Sequence, residues 1–509
     1  MLSKITSYAL VGLEGVPVEV ETDINKGMVS YELVGLPDAA VKESKERVFS
    51  AIRNSVLRFP VNKITVNLAP ADIKKEGSQY DLPIAISLLA ASGQLEADVN
   101  GVVMLGELAL DGGLRPVSGI LPILISAKSK GFKKFIVPCG NANEASYIEG
   151  IEVYALKNLK EAFAFLSGEP FQPVEVKSFE AAKRKTSYNC DLSLVRGQAV
   201  AKRALEIAVA GGHNILLSGP PGTGKTMLAR CIPTIMPDMT FDEALEVTKI
   251  LSVSGELGEE GIVSLRPFRT PHHTATTVSL CGGGNSKIKA GEISKAHRGV
   301  LFLDELPEYS RSALEALRQP LEDGKITVTR AGGAITFPAD FILCASMNPC
   351  PCGNFGSKER NCTCTPAQIR RYRGKISGPL LDRIDLQVEV DAVKYEELAG
   401  VSVGESSAEV KKRVERARLI QRERFNGDDG VTVNADMGER QIKEYCKLSP
   451  ECESILRAAF ERLRLSARAR ARIIKVARTI ADLDSSAEIR PNHILEASSY
   501  RNFDSTADL

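Results

Sequence analysis

Gly219-Pro220-Pro221-Gly222-Thr223-Gly224-Lys225-Thr226 is the stretch from which the fold of this chain can be read. It follows the apolar run Asn214-Ile215-Leu216-Leu217-Ser218 and precedes Met227-Leu228-Ala229-Arg230, which reads as a helix. Strand, glycine-rich loop and helix together form the setting in which this spacing cradles phosphate. The glycines let backbone N–H groups close around the phosphates, and the helix N-terminus adds positive potential. Lys225 is then positioned to reach the β- and γ-phosphates, and the Thr226 hydroxyl to help hold Mg²⁺. The octet predicts nucleoside triphosphate binding.

Downstream, Val300-Leu301-Phe302-Leu303-Asp304-Glu305 is an apolar strand ending in two carboxylates. In a doubly wound sheet such a strand delivers its terminal acids to the crevice that binds nucleotide. Asp304 is expected to hold the Mg²⁺ shell and Glu305 to orient the attacking water. On its own this pattern also describes a strand meeting solvent; it gains meaning from the phosphate loop upstream. A third apolar strand, Phe341-Ile342-Leu343-Cys344-Ala345-Ser346-Met347, ends at Asn348. The Asn348 amide can sense the γ-phosphate or position the water, or it is a turn residue before Pro349.

The chain has 509 residues, too many for one core, so about three domains are expected. The reading places a front domain at 1–171, a linker at 172–189, a nucleotide core at 190–400 and a helical region at 401–509. In the front domain, Val18 to Glu21 and Ile64 to Leu68 alternate like half-buried strands. Residues 39–53 and 82–91 look helical, and a helix from Leu121 to Lys130 ends at Gly131. The polar stretch Glu175 to Asn189, with Lys183-Arg184-Lys185, reads as the linker. A net charge of +1 gives no overall basic field, so any polyanion must be gripped locally. Without a signal segment or a membrane-length apolar run, and with eleven cysteines read as thiols or metal ligands, the expectation is a soluble cytoplasmic protein.

With Gly378-Pro379-Leu380-Leu381-Asp382-Arg383-Ile384-Asp385 the core resembles AAA+ ATPases of the magnesium-chelatase-like branch. The resemblance implies ATP as ligand and Arg383 as an arginine finger reaching the neighbouring subunit's site; a solvated Arg paired with Asp382 or Asp385 is the plainer reading. Val195-Arg196-Gly197-Gln198 resembles the segment packed on adenine, which brings in Gly197 and Gln198. Leu465-Ser466-Ala467-Arg468 with the run Ile473 to Arg478 is similar to the second sensor helix, and Arg468 falls at the position that reaches the γ-phosphate.

Residues 321–337 read as two β-branched strands around a glycine turn. At this place the branch, and by resemblance MCM-type helicases, insert a hairpin lining a central pore. Arg330 occupies its basic position, with Lys325 a second candidate. In a ring, one such residue per subunit is multiplied by the subunit number, which lets a near-neutral chain hold a phosphate backbone. An exposed hairpin with ordinary charges is the alternative.

Cys350-Pro351-Cys352 and Cys362-Thr363-Cys364 offer four thiolates in one short segment. They can close a tetrahedral structural Zn²⁺ site, although C-x-C is tighter than the usual C-x-x-C, and free or redox-active thiols remain the other reading. His272 and His273 read as packing or hydrogen-bonding residues.

The front domain resembles the magnesium-chelatase-like N-terminal domain, which shares its fold with the proteolytic domain of Lon and the C-terminal domain of RadA. The resemblance lies in Val34-Gly35-Leu36-Pro37-Asp38, residues 74–78 and residues 112–117. Gln79 stands at the nucleophile's position and Leu121 at that of the lysine base, so proteolysis is not expected. The order of parts resembles the YifB/ComM family along nearly the entire chain. The expected fold is α/β: a Lon-protease-like N-terminal domain, an AAA+ P-loop core with a parallel sheet, and a C-terminal helical lid. The family implies a homo-hexameric ATPase moving on DNA. A chelatase-like motor remodelling a partner protein is the rival, an ATP-dependent protease a weaker third.

Overall fold

A computed structural model of the chain describes residues 2–185, 188–284, 289–330, 333–356, 360–392, 404–428, 430–463 and 466–501. The front domain is built on a seven-stranded sheet. Its strands are β1 (Leu2–Val11), β2 (Glu14–Asn25), β3 (Ser30–Val34), β4 (Lys63–Ala69), β5 (Val102–Met104), β6 (Lys134–Pro138) and β7 (Glu152–Leu156), in the order β3-β4-β2-β1-β5-β6-β7. β2 is antiparallel to both β1 and β4, and the remaining neighbours run parallel. The alternation read in residues 64–68 is the pleat of β4, with Ile64, Val66 and Leu68 fully buried.

The helical stretch at 39–53 breaks at Glu43 into a short turn, Ala39–Lys42, and helix α1 (Ser44–Asn54). The Asp38 carboxylate caps the first turn by accepting the Val41 N–H at 2.8 Å. Helix α2 (Asp81–Ala91) is buried along almost its whole length, and α3 (Ile120–Ser129) covers the other sheet face against Tyr8, Phe135 and Val153.

The polar stretch before residue 190 carries a helix, Phe179–Lys185, where the sequence suggested only a linker. Phe179 and Ala182, one helical turn apart, are buried against Met239, Val247 and Ile262, and the Phe179 ring lies 5.6 Å from Phe241. Two apolar residues among many charges were enough to pin this segment.

The second sheet has five strands, all parallel: β8 (Ile215–Ser218), β9 (Phe268–Arg269), β10 (Val300–Leu303), β13 (Ile342–Met347) and β14 (Leu386–Glu389), in the order β9-β10-β13-β8-β14. Between β10 and β13 lies the hairpin of β11 (Lys325–Arg330) and β12 (Gly333–Pro338). β8, β10 and β13 are buried at every position, as expected of parallel strands covered on both faces. Helices α4 (Ala199–Gly211), α5 (Lys225–Ile235) and α6 (Phe241–Ser254) pack around this sheet, and α7 (Pro366–Arg373) follows the cysteine segment. The lid consists of α8 (Ser407–Arg424), α9 (Pro450–Leu463), α10 (Ala467–Leu483) and α11 (Pro491–Ser499), with a shorter helix at Glu439–Tyr445. α8 and α10 pack onto α4, so lid and core share one apolar cluster.

Front domain and core are joined through α3 and α6. The buried Glu144 carboxylate accepts the Leu121 N–H at 2.9 Å and the hydroxyl of Ser252 on α6. Leu121, at the position where a peptidase would need its lysine, is itself buried. The Ser78 hydroxyl is bound to the Glu107 carboxylate, and the buried Lys75 amine donates to the Pro70 carbonyl. No helix among the described residues is long and apolar enough to cross a membrane.

Candidate nucleotide site

Parallel strands of one sheet end together, so β8, β10 and β13 bring the phosphate loop, the acidic pair and Asn348 to one edge. Gly222 (φ +80°) and Gly224 (φ +87°) take up the left-handed backbone that turns β8 into α5. The Lys225 amine lies along its own loop, donating to the carbonyls of Gly219 (2.6 Å) and Pro220 (2.8 Å), with the Asn348 amide oxygen at 3.4 Å. Burial lowers its pKa, and the carboxylates of Asp304 and Glu305 pull the other way.

The Thr226 hydroxyl donates to Asp304 Oδ2 at 3.0 Å, and Ser346 holds the other Asp304 oxygen. A hydroxyl and a carboxylate meeting at the phosphate loop form an oxygen donor set suited to Mg²⁺. Bound there, the ion would neutralise charge on the triphosphate. Glu305 is exposed and takes a left-handed backbone (φ +53°), unusual for a non-glycine residue. His273 Nδ1 stands 3.6 Å from Glu305 Oε2, and its ring lies tilted against that of His272, with centroids 4.1 Å apart. The sequence pointed to the His pair as packing or hydrogen-bonding residues; the contact with Glu305 shows in the fold alone. Gln198 donates to the carbonyls of Thr223 (3.3 Å) and Asp391 (2.7 Å), so the Gly197-Gln198 turn lies beside the phosphate loop.

Arg383 lies at the opposite end of the sheet. The Asn214 amide donates to the Arg383 carbonyl at 3.0 Å, and Asn214 precedes β8. Five residue-to-residue steps of extended chain lead from Asn214 to Gly219, roughly 16 Å at the rise of a strand. Arg383 and Arg468 line one cavity of about 280 Å³, together with Arg472, Lys475, Asp385 and Glu322, and no residue of the octet lines it. The Arg383 guanidinium is bound to Glu322 and to the Pro379 carbonyl (2.8 Å), while its buried Nε has no hydrogen-bond partner among the described residues. Burial alone would raise the Asp385 pKa, but Arg472 and His213 hold the carboxyl well below the usual carboxylate range. The protein thus gathers Lys225, Thr226, Asp304, Glu305 and Asn348 at one edge of the sheet and Arg383 and Arg468 at the other.

The four cysteines cluster directly after Asn348. Their sulfurs all lie within 4.8 Å of one another, with Cys350–Cys352 at 3.4 Å, Cys352–Cys362 at 3.6 Å and Cys350–Cys362 at 3.7 Å. Tetrahedral Zn–S bonds of about 2.3 Å put sulfurs about 3.8 Å apart, so this donor set fits a zinc ion. Backbone N–H groups of Phe355 and Cys364 point at Cys350 and Cys362 sulfurs. In the hairpin, Lys325 is exposed at the base opposite Pro338 and Arg330 is the last residue of β11, opposite Gly333; the Arg330 side chain lies outside the described residues.

Strand order, phosphate loop and acidic strand end together define a P-loop ATPase of the AAA+ type. Three family models match the chain: "Magnesium chelatase, subunit ChlI" over residues 191–398, "Subunit ChlI of Mg-chelatase" over 20–141, and "Magnesium chelatase, subunit ChlI C-terminal" over 404–501. The chain is 46% identical over 505 residues to the uncharacterized protein YifB of Escherichia coli, covering 99% of this chain and 97% of the relative. It is 44% identical over 506 residues to the competence protein ComM of Haemophilus influenzae, covering 98% and 97%. A stretch of 168 residues, 32% of this chain and 30% of the relative, is 31% identical to Lon protease 2 of Bacillus subtilis. The chain belongs to the YifB/ComM family of magnesium-chelatase-like AAA+ proteins.

Proposed function

We propose that the chain forms a cytoplasmic homo-hexameric ring that couples ATP hydrolysis to movement on DNA, as a helicase or branch-migration motor in recombination or natural transformation. The observation carrying the ring is the separation of Arg383 from its own phosphate loop by the length of β8, roughly 16 Å at the rise of a strand. Turned toward a neighbour, the cavity with Arg383 and Arg468 meets that neighbour's Lys225, Asp304 and Glu305. Glu305 then orients the attacking water, while Arg383 from the next subunit stabilises charge on the transferred phosphoryl group. Asn348 reports the γ-phosphate to β13, and the hairpin between β10 and β13 carries Arg330 toward the pore, with Lys325 a second basic contact at its base. The DNA reading is supported by those basic residues and by the name of the Haemophilus relative, a competence protein. In the same reading the four cysteines hold one structural Zn²⁺ per subunit.

The family description favours a second reading, a motor that remodels a partner protein for metal insertion. ATP hydrolysis measured with and without single-stranded or branched DNA separates the two. DNA is expected to stimulate turnover, and Arg330→Ala to reduce both the stimulation and the DNA affinity. A rate unchanged by either DNA refutes the DNA reading and leaves the remodelling one.

A further inference from the structure

We propose that the cysteine knot is a brace for the phosphate loop, so that nucleotide affinity depends on zinc occupancy. This rests on the zinc reading above and adds a role to it. The segment between Asn348 and α7 has almost no apolar core of its own: among its described residues, only Pro349, Cys350 and Gly353 are buried. Apart from the sulfurs, Arg373 helps to hold it, donating Nε to the Pro349 carbonyl at 3.1 Å and lying 5.2 Å over the Phe355 ring. Four thiolates drawn onto one ion would supply the missing cohesion, as metal does in domains too small for a core.

The knot touches the nucleotide site at two points. Gly353 takes a left-handed backbone (φ +81°) and packs against Pro221 of the phosphate loop so closely that a Cβ there would lie 2.6 Å from Pro221 Cδ. Cys350, fully buried, stands two residues after Asn348, whose amide oxygen is 3.4 Å from the Lys225 amine. Closing the knot therefore sets the back of the loop through Gly353 and the γ-phosphate sensor through Pro349. Opening it frees both.

The test uses the full-length protein, elemental analysis for metal, and titration with a fluorescent non-hydrolysable ATP analogue in the presence of Mg²⁺. Wild-type protein is expected to carry equimolar zinc. Replacing Cys362 and Cys364 together by Ser is expected to abolish zinc and weaken analogue binding at least about tenfold. Gly353→Ala leaves every cysteine in place, so it is expected to keep zinc yet weaken binding about tenfold through the Pro221 contact. Absence of zinc from wild-type protein overturns the zinc reading itself. Zinc present with wild-type affinity in Gly353→Ala and in the metal-free double variant overturns the brace alone. Should the double variant fail to fold by circular dichroism, Gly353→Ala decides: wild-type affinity there overturns the brace.

Discussion

Asn214→Ala tests whether ATP is hydrolysed between subunits. The Asn214 side chain donates to the Arg383 carbonyl (3.0 Å) and accepts the Leu343 N–H (2.8 Å), tying the arginine turn to β8 and β13. Alanine leaves both backbone groups without that partner, at about 1–3 kcal/mol each when buried, and toward the lower end here because the site is half-buried. The turn stays attached, because the Asn214 carbonyl still accepts the N–H groups of Asp385 and Leu386 at 3.0 Å. Arg383 therefore shifts rather than departs. A displacement of about 1 Å at a catalytic group costs on the order of 10²-fold in rate, so kcat is expected to fall by about that factor. Binding of ATP to the chain's own loop is expected to stay within about twofold, since Asn214 is roughly 16 Å from Gly219.

The decisive assay mixes Asn214→Ala with Glu305→Gln subunits. The first retains a sound phosphate loop and acid but a loosened arginine; the second retains a sound arginine but lacks the base. In an equal random mixture about a quarter of the interfaces join the sound loop to the sound arginine, because a closed ring repeats one head-to-tail contact. Turnover is then expected to rise to about a quarter of wild type, far above either parent. A mixture giving only the mean of its parents refutes hydrolysis between subunits. Wild-type turnover by Asn214→Ala alone refutes the clamp.

Glu305→Gln by itself is expected to bind ATP normally and to lose about 10²–10⁴-fold in turnover; full activity contradicts its role as base. Asp482→Ala in the lid removes a fully buried carboxylate that accepts from Arg424 (2.8 Å), Asn434 (2.8 Å) and Arg478 (3.1 Å). The buried Arg478 and the half-buried Arg424 lose their counter-charge, so a loss of about 3–5 kcal/mol is expected as a Tm drop of several degrees by calorimetry; an unchanged Tm contradicts the network. Glu246 bonds His297 (3.0 Å) and Arg298 (2.9 Å), the His297 bond foremost in holding its pKa at about 2 in the folded protein against an ordinary 4.5. The unfolded chain therefore binds the extra proton, and this stability is present above pH 4.5 and lost as pH falls toward 2. Glu246→Gln is expected to be less stable than wild type at pH 7, by under about 1 kcal/mol given its exposure, with the gap narrowing below pH 4.5 and closing only toward pH 2 in denaturant titrations; a constant gap refutes the linkage.

The nucleotide edge was legible because its parts are local. Gly219 to Thr226 is one turn, and Asp304 and Asn348 each terminate an apolar strand, so parallel pairing brings them together without further information. The contacts made by His273, Asn214 and Ser346 were not legible, since each joins segments at least 32 residues apart through one side chain. The helix at Phe179–Lys185 was hidden by its charges, because only burial against Met239 and Val247 reveals that Phe179 and Ala182 form its anchor.

By itself, then, the order of residues determined the ligand, the acidic pair and the sheet that carries them, all consequences of short-range periodicity and of a loop that needs only its own glycines. Tertiary structure alone decided that Arg383 and Arg468 lie together a strand's length from the chain's own phosphate loop. It also decided that Gly353 presses the cysteine knot onto Pro221. A motif records what its own backbone can do; how far one motif stands from another is set by the packing of everything between them.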